Sequence, residues 1–276
     1  MYEIAVRLHL NPVLRKRKLA DITETEILRV IATMRVKGLA PVLTPLGRIL
    51  GHAARRELIA SNPMQRLEWG ERPAIERREM RILGRDGIGR LLTGSPARYR
   101  TLLTTAVLTG MRLSELLGAE WRDIDFDAGA IRVRRQADRK GQLVEPKTPQ
   151  ANRDIVLSSG LAKTLREHKM ASRYKGEEDL VFASETGRPM NGRNVSRRGL
   201  DKALANAELG KLRFHDLRHT FASLLISEGL NVVFVSRQMG HASPDITLRV
   251  YAHVWDSVEH SGKASAALDA VYTASS

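Results

Sequence analysis

The sequence predicts a mainly α-helical protein with a small antiparallel β-sheet, an α+β fold spread over two domains. A chain of 276 residues is longer than one typical domain, and a hydrophobic fraction of 42% is sufficient for real cores. Apolar residues recur with helical spacing in most segments, whereas alternation with a period of two is confined to residues 131–157. Together these observations predict helices around one short sheet.

The first third of the chain contains signals for two helices. Residues 23–26 (Thr-Glu-Thr-Glu) have the pattern of a capping box, which predicts a helix that ends before Gly38. A second helix is predicted to begin after Thr44, with Pro45 at its first position, and to continue until Asn62 and the proline that follows it.

A charged segment without apolar periodicity follows these helices and predicts a domain boundary. We expect a helical N-terminal domain over residues 1–70, a linker over 71–80 and a larger domain over 81–260. The small-residue tail over 261–276 is expected to be poorly ordered.

The larger domain is predicted to alternate between helices and one pair of strands. The helices have apolar residues at helical spacing, and they cover Ile88–Leu92, Tyr99–Thr109, Leu113–Leu117, Phe214–Glu228, a segment ending at Met239 and a segment opened by Ser243-Pro244 that contains Tyr251. The strands have the alternating pattern, and they cover Ile131–Arg134 and Asp154–Leu157, with a turn at Asp138–Gly141.

The net charge and the absence of cysteine limit the function. Lys and Arg number 45 against 31 Asp and Glu, and the net charge of +14 favours a polyanionic partner, nucleic acid ahead of an acidic membrane surface. The lack of cysteine excludes disulfides and thiolate metal sites. The sequence has neither a signal-peptide stretch nor an apolar run long enough to span a membrane, so we expect a cytosolic protein without a membrane partner.

Three separate segments place polar residues on otherwise apolar helices. His215 and Arg218 are three residues apart, on a face beside the apolar stripe, and can bind one anion together. Arg112 lies at the start of a helix, a position suited to a phosphate because backbone donors point the same way. His241 follows a helix end, and Tyr251 is expected on the next short helix.

These residues belong to four motifs that occur in a fixed order. The motifs are Thr-Gly-x-Arg-x-x-Glu-Leu at 109–116, His-x-Leu-Arg-His at 215–219, Gly-His at 240–241 and Tyr-Ala-His at 251–253. In this order and with this spacing they resemble the signature of the tyrosine recombinases, the phage-integrase-like enzymes that cut and rejoin DNA. Each motif alone is weak evidence, whereas four in order are specific.

The resemblance implies a role for each matched residue. Tyr251 would be the nucleophile that forms a 3′-phosphotyrosine bond with DNA. The other assignments concern the phosphate oxygens, the leaving group and the support of the site: Arg112 and Arg218 would hold the non-bridging oxygens, His215 and His241 would support them, Lys147 would protonate the leaving 5′-hydroxyl, and Glu115 would be a supporting acidic residue.

These residue types suit the chemistry that the resemblance implies. Attack of a phenol oxygen on a phosphodiester concentrates negative charge on the phosphoryl oxygens, which two guanidiniums stabilise. A lysine can protonate the leaving oxygen if surrounding positive charge lowers its pKa. The covalent intermediate stores the bond energy, so the step can be reversed without ATP. We therefore expect a site-specific recombinase that integrates or excises DNA and needs no metal or other cofactor.

The resemblance also implies partners and a domain plan. The N-terminal domain would clamp double-stranded DNA beside the catalytic domain, and a homotetramer would assemble on paired sites. Basic residues in two loops are the candidate DNA contacts: Arg15, Lys16, Arg17, Lys18, Arg139 and Lys140. The chain begins near the expected second clamp helix, which predicts a naturally short or truncated form without an arm-binding domain, encoded by a bacterium or phage and acting in the cytoplasm.

Three other interpretations remain open from the sequence. His215 and His219 are spaced as in zinc proteases, but Arg218 on the same face would repel a dication, so we expect no metal and a structural role for His219. The segment Phe221–Gly240, with a break at Gly229, resembles a helix-turn-helix regulator, which would not need the candidate nucleophile. A type IB topoisomerase uses nearly the same residues and would relax DNA as a monomer.

Overall fold

A computed structural model of the chain describes residues 2–34, 40–68, 80–146 and 148–256. The chain divides into two compact units, an N-terminal unit (Met1–Glu79) and a C-terminal unit (Met80–Ser276). The predicted linker over 71–80 lies outside the described residues except for its last residue, and the predicted tail over 261–276 lies outside them entirely. The functions expected of the two domains stay predictions.

The described part of the N-terminal unit consists of short and medium helices. They are α1 (Tyr2–Ala5), a π-helical segment (Val6–Leu10), α2 (Asn11–Leu14), a 3-10 turn (Leu19–Asp21), α3 (Glu24–Ala32), α4 (Ala40–Arg55) and a second 3-10 turn (Pro63–Gln65). Ile27 and Val30 of α3 and Leu46 and Leu50 of α4 lie at helical spacing and are at most 2% exposed. Burial of these side chains forms the core of this unit.

The prediction for α4 is wrong at both ends. The helix already includes Ala40, so Pro45 lies inside it rather than at its first position. The helix therefore tolerates the loss of one hydrogen bond, because the unbroken apolar face of this segment is buried in the core. It ends at Arg55, and Glu57 has a positive φ of 58°. Asn62 instead caps the 3-10 turn, where its side chain accepts from the backbone N–H of Met64 at 3.0 Å.

The start of α3 is as expected, but its capping box is not formed. Thr23 is the N-cap residue, and within the described residues its side chain makes no capping hydrogen bond. Glu26 is buried and accepts from Arg29 at 2.9 Å and from Arg17 at 3.3 Å. Two guanidiniums thus compete with the backbone for this carboxylate. The predicted stop before Gly38 lies outside the described residues, and α3 ends at Ala32.

The C-terminal unit contains the remaining helices, most of them at the predicted positions. They are α5 (Arg85–Gly94), α6 (Ala97–Thr109), α7 (Leu113–Gly118), α8 (Ser159–Ala171), α9 (Gly192–Asn194), a π-helical segment (Val195–Leu200), α10 (Asp201–Asn206), α11 (Phe214–Ser227), α12 (Val232–Met239) and α13 (Pro244–Asp256). Leu102, Leu103, Ala106 and Val107 are at most 1% exposed and occupy more than one face of α6. The helix is therefore enclosed at the centre of the unit.

The sheet is small and antiparallel, as predicted, with strands β1 (Ile124–Asp125), β2 (Ala130–Val133), β3 (Gln136–Ala137), β4 (Leu143–Val144) and β5 (Arg153–Val156). β2 lies between β1 and β5, and β3 pairs with β4 as a separate hairpin. Ile131 of β2 faces Ile155 of β5, and both side chains point into the core. The alternation of buried and exposed residues along β5 places Arg153 on this inner face too.

The predicted fold class, mainly helical with a small antiparallel sheet, is confirmed. No helix in the described ranges is long and apolar enough to cross a membrane.

Candidate active site

Arg218 is the buried centre of the candidate site. It belongs to α11 and is 2% exposed. Its guanidinium donates to the carbonyl oxygen of Gly110 at 2.7 Å and to that of Met239. These carbonyls lie at the ends of α6 and α12, where the last C=O groups of a helix have no partner within the helix. Arg218 thus joins two helix ends to α11. Both acceptors are neutral carbonyl groups, so these hydrogen bonds leave its positive charge uncompensated.

Glycines make this junction possible. Gly110 follows the last residue of α6 and Gly240 follows the last residue of α12, and both glycines are in the left-handed conformation with φ of 61°. At Gly110 an added Cβ would overlap the ring of Phe221. At Gly240 it would lie 2.8 Å from the Cδ of Arg153. Both positions therefore need glycine for conformation and for space.

Glu115 binds two arginines from different segments. Its carboxylate accepts from the side chain of Arg112 at 2.6 Å and from the backbone N–H of Arg112 at 2.9 Å. Arg153 donates to the same carboxylate at 2.9 and 3.2 Å. The side chains of Glu115 and Arg153 are 3% and 6% exposed, whereas that of Arg112 is 37% exposed. The buried carboxylate therefore holds Arg112 in place, while the exposed part of the Arg112 side chain remains accessible to an anion.

Arg153 also fixes the segment between α12 and α13. Its Nε donates to the carbonyl oxygen of Gln238 at 2.8 Å, while the Gln238 side chain accepts from the backbone N–H of Val156 at 3.0 Å. Arg112 reaches the carbonyl oxygen of Gly240 at 3.4 Å. These hydrogen bonds attach the end of α12 to β5 and to the start of α7. They therefore fix the backbone directly before His241.

The two predicted site histidines lie on opposite sides of Arg218 in the chain. His241 is partly buried, and its Nδ1 lies 2.7 Å from the Oγ1 of Thr247 at the start of α13. His215 is exposed on the first turn of α11, one turn before His219, whose ring it meets edge-on at 4.8 Å between centroids. Thr247 therefore orients one histidine and the ring of His219 contacts the other.

Tyr251 is fully buried on α13, at 0% exposure. It packs in an apolar cluster with Phe221, Ile226 and Val235. Its hydroxyl lies 2.6 Å from the Nδ1 of His219 on α11. The candidate nucleophile is therefore held by a histidine, and the apolar cluster fixes its ring.

The site is dominated by positive charge. Burial, together with the charges of Arg112 and Arg153, lowers the pKa of Arg218 to about 9, which leaves it charged at neutral pH. Burial and the same group of arginines lower the pKa of His241 to about 4. Loss of solvent around its ring and the charges of Arg218 and Arg112 also lower the pKa of His215, despite its exposed edge. A site with this field stabilises an anion.

The carboxylate and the phenol of the site respond to the same surroundings in different ways. Burial by itself would raise the pKa of Glu115, but the hydrogen bonds and charge of Arg153 and the charge of Arg112 outweigh it and lower the pKa. Burial raises the pKa of Tyr251 well above its ordinary value, and the charge of Arg218 only partly offsets this. Glu115 is thus ionised and Tyr251 is a neutral phenol at neutral pH.

A family model matches residues 86–257, which include all of the site described above, and its description is the phage integrase family. The chain belongs to the phage integrase family. The family that the sequence motifs predict is therefore confirmed.

Curated relatives of this phage integrase family protein include bacterial and phage proteins that are named tyrosine recombinases or integrases. A tyrosine recombinase XerC-like protein of Caldanaerobacter subterraneus is 32% identical over 57% of this chain and 46% of its own length. The ICEBs1 integrase of Bacillus subtilis is 24% identical over 90% of this chain and 71% of its own length. The chain thus spans about half the length of the first of these relatives.

Solved structures of similar fold include complexes with DNA. The Tn1549 transposon integrase, in complex with a circular intermediate DNA, has a TM-score of 0.77 and 21% identity, and the match covers 95% of this chain and 90% of that one. A lambda integrase dimer bound to a core site has a TM-score of 0.63 and 22% identity, with 90% and 86% covered. At these identities the likeness shows the integrase fold.

The structure brings most of the predicted catalytic residues together in one site. Several other predicted residues are not part of that site as the structure describes it. Lys147 lies outside the described residues. Arg139 and Lys140 are exposed in the turn between β3 and β4. The basic run Arg15–Lys18 is exposed in the N-terminal unit, where Arg17 pairs with the buried carboxylate of Glu26. The DNA contacts of these loops stay predictions.

Sequence reasoning missed Arg153 and the contact made by His219. Arg153 shares the inner face of β5 with Ile155, so a charged residue in phase with an apolar one was a usable signal. His219 was expected to be structural, and it has a hydrogen-bond partner, but that partner is the candidate nucleophile. Its position one turn after His215 was the available signal.

No group of three or more His, Cys, Asp and Glu side chains in the described part of the chain could hold a metal ion. The expectation of a reaction without a metal stays a prediction, which rests on the arginine-rich character of the site.

Proposed function

We propose that the chain is a site-specific DNA recombinase that cleaves and rejoins strands through a 3′-phosphotyrosine at Tyr251. The observation that carries this proposal is the meeting of Arg112, Arg218 and His241 around two helix ends, with a buried tyrosine on the adjoining helix. These residues come from widely separated parts of the chain. A merely structural tyrosine has no need of such a cluster.

The geometry suits the transfer of a phosphoryl group to the tyrosine oxygen. Arg112 and Arg218 bind the non-bridging oxygens, and their charges stabilise the transition state. His215 and His241 add hydrogen bonds to the same oxygens. Glu115 and Arg153 keep Arg112 and the end of α12 in place, so the donors need not reorganise during the reaction.

One bond forms and one breaks in the cleavage step. The Tyr251 phenol gives its proton to a base of the site as its oxygen bonds to phosphorus, the bond from phosphorus to the 5′-oxygen breaks, and Lys147 gives a proton to that oxygen. Rejoining is the same step in reverse with the 5′-hydroxyl of a second strand. It requires no ATP because the phosphotyrosine conserves the bond energy, and no metal because the two guanidiniums stabilise the phosphoryl oxygens.

The alternative functions are not favoured. A helix-turn-helix regulator would have α11 and α12 but no use for Arg112 and Tyr251, and the family match covers these residues as well. A type IB topoisomerase is disfavoured because the relatives named above are recombinases and integrases.

The partners follow from the relatives by analogy. Double-stranded DNA is the proposed substrate, with Arg15–Lys18 and the turn containing Arg139 and Lys140 as phosphate contacts. A lambda integrase tetramer bound to a Holliday junction has a TM-score of 0.65 to this chain, which supports a homotetramer on paired sites. Because the relatives are bacterial and phage proteins, we place this activity in a bacterial cytoplasm.

The test is a covalent adduct with DNA. The full chain is incubated with linear duplexes that contain a randomised central segment, and species that survive SDS are isolated and sequenced. A nick beside the mapped cleavage position then traps the adduct, because the short strand diffuses away. We expect the adduct to block a 3′-exonuclease and to leave a free 5′-hydroxyl.

Variants identify the nucleophile. Tyr251→Phe should form no adduct while it still binds the selected DNA, and Tyr174→Phe is the matched control, since Tyr174 bonds to the carbonyl of Glu185 outside the site. Arg112→Ala should slow cleavage by about a hundredfold or more, as expected when one charged transition-state contact is lost. An adduct in Tyr251→Phe, mapped to another residue, would overturn the assignment.

A further inference from the structure

We propose that His219 is the proton acceptor of the cleavage step and takes the phenolic hydrogen of Tyr251 as the phenol oxygen bonds to phosphorus. This inference rests on the proposed function. It assigns a catalytic role to a residue that the sequence motif includes but that the proposed phosphate clamp, formed by Arg112, Arg218, His215 and His241, does not use.

The contact between the two side chains is direct. The Tyr251 hydroxyl lies 2.6 Å from the Nδ1 of His219, and the two rings are tilted by 55° with 5.8 Å between centroids. The residues come from different helices, α11 and α13, so the contact exists only in the folded unit. Because Tyr251 is 0% exposed, a protein group is better placed than bulk water to receive its proton.

The charge states set the direction of this hydrogen bond. Burial raises the pKa of Tyr251, so the phenol keeps its hydrogen. Burial, with the nearby His215, lowers the pKa of His219 to about 4, so the imidazole is neutral. A neutral ring with its hydrogen on Nε2 accepts at Nδ1, and the tyrosine O–H donates to it. The resting site therefore already has the geometry of a base and its substrate proton.

A bound phosphate would strengthen this base. The charged and titratable groups that face His219 are His215, Asp216, Arg213 and Arg218 of α11, together with His241 after α12 and Tyr251 itself. All but Asp216 and the phenol oppose an imidazolium. A phosphodiester held by the clamp brings an anion into this field and offsets the positive charge, so protonation of His219 becomes easier when DNA is present.

The proton and electron pairs balance. The phenolic O–H bond breaks and its proton moves to Nδ1 of His219, the freed electron pair forms the bond to phosphorus, and the bond to the 5′-oxygen breaks with proton donation from Lys147. In rejoining, the imidazolium returns its proton to the departing phenol oxygen.

The two histidines of α11 then have separate tasks. His215 stands on the first turn beside Arg218 and Arg112, whose charges reach it, and the proposed function assigns it to the phosphate oxygens. His219 stands one turn later, in contact with the nucleophile. One helix thus presents a hydrogen-bond donor to the phosphate and a base to the tyrosine.

Two variants of His219 separate proton transfer from positioning. In His219→Asn the side-chain oxygen can hold the tyrosine hydroxyl near the position of Nδ1 but cannot take its proton, whereas His219→Phe keeps only the ring packing. Adduct formation on the selected, nicked DNA is measured in single turnover across a range of pH. We expect both variants to be slower than the wild type by about a hundredfold or more, with loss of the acidic limb of the pH profile.

A more acidic phenol should remove the need for the base. A fluorinated tyrosine is introduced at position 251 by nonsense suppression, in the wild type and in His219→Asn. We expect the analogue to restore most of the lost rate in His219→Asn and to change the wild type little, because a phenol of lower pKa gives up its proton without help.

The outcomes distinguish this inference from the proposed function. If the wild type forms no adduct, the proposed function fails. If the wild type forms the adduct and His219→Asn is equally fast, or is slow to the same degree with the fluorinated tyrosine, then His219 accepts no proton and the inference is overturned.

Discussion

Removal of the Arg153 side chain is the perturbation whose effect the structure defines most fully. Arg153→Met keeps most of the length of the side chain but loses the guanidinium. That group makes hydrogen bonds of 2.9 and 3.2 Å to Glu115, 2.8 Å to the carbonyl of Gln238 and 3.1 Å to the carbonyl of Ala151. In the variant, a carboxylate that is 3% exposed retains only Arg112 as a charged partner.

The expected cost is a large part of the stability of the unit. Removing one partner of a buried ion pair costs about 3–5 kcal/mol, because the other charge stays buried without compensation. Arg112 remains beside Glu115 and reduces this cost, so we expect a loss of about 3 kcal/mol in the free energy of unfolding. A typical domain has only about 5–15 kcal/mol in total. The pKa of Glu115 should rise in the variant, since Arg153 lowers it in the wild type.

Denaturant unfolding at neutral pH measures the loss directly. Arg132→Met on β2 is the control, because Arg132 pairs with Asp125 while its own side chain is 43% exposed. Such exposed pairs contribute about 1 kcal/mol or less. The double variant Glu115→Gln with Arg153→Met should be more stable than Arg153→Met alone, because it removes the orphaned charge. If Arg153→Met loses no more stability than Arg132→Met, the buried pair does not hold the site together.

Three further predictions concern the leaving group, a glycine and the histidines. Lys147→Ala should be slow on ordinary DNA and close to wild type on DNA with a bridging 5′-sulfur, since a thiolate leaves without an acid; equal defects on both substrates, in single-turnover cleavage, would remove Lys147 from the mechanism. Gly240→Ala should lower the free energy of unfolding by more than Gly141→Ala. Both glycines have positive φ, but a Cβ at Gly240 lies 2.8 Å from a neighbouring carbon and one at Gly141 meets nothing within 4 Å, so equal losses in denaturant titrations would refute the close approach. The depressed pKa values of His219 and His241, about 4 against 6.5, mean that the unfolded chain binds protons first as pH falls below 6.5. Stability should therefore fall as the pH drops from 6.5 towards 4, and variants with Asn at both positions should show a flatter dependence in the same titrations.

Short-range patterns in the sequence predict the elements of this fold well. The alternation around Ile131 and Ile155 predicts a strand pair, and the structure confirms that the two residues face each other. The strands β1, β3 and β4 have two residues each and are too short to show a period. Pro45 led to a wrong prediction for the start of α4. A proline indicates a helix start from its immediate neighbours alone, whereas the burial of a whole helix face depends on the rest of the unit.

Contacts between distant residues are the part of the site that the sequence could not predict. Glu115 and Arg153 are 38 residues apart, and His219 and Tyr251 are 32 apart. Periodicity shows which face of an element is buried but not which residue of another element it meets. The motifs named the candidate catalytic residues, while the groups that hold them required the structure.

Arg218 joins α6 to α12, so the site can assemble only after most of the chain has been synthesised. The carbonyls that bind it belong to Gly110 and Met239, and Tyr251 follows later still. A nascent chain that has not yet emerged from the ribosome as far as Met239 therefore lacks one of the carbonyls that hold Arg218, and a chain that has not emerged through α13 lacks Tyr251. Under the proposed function, a prematurely terminated polypeptide lacking α13 would have no nucleophile and would form no covalent bond with DNA.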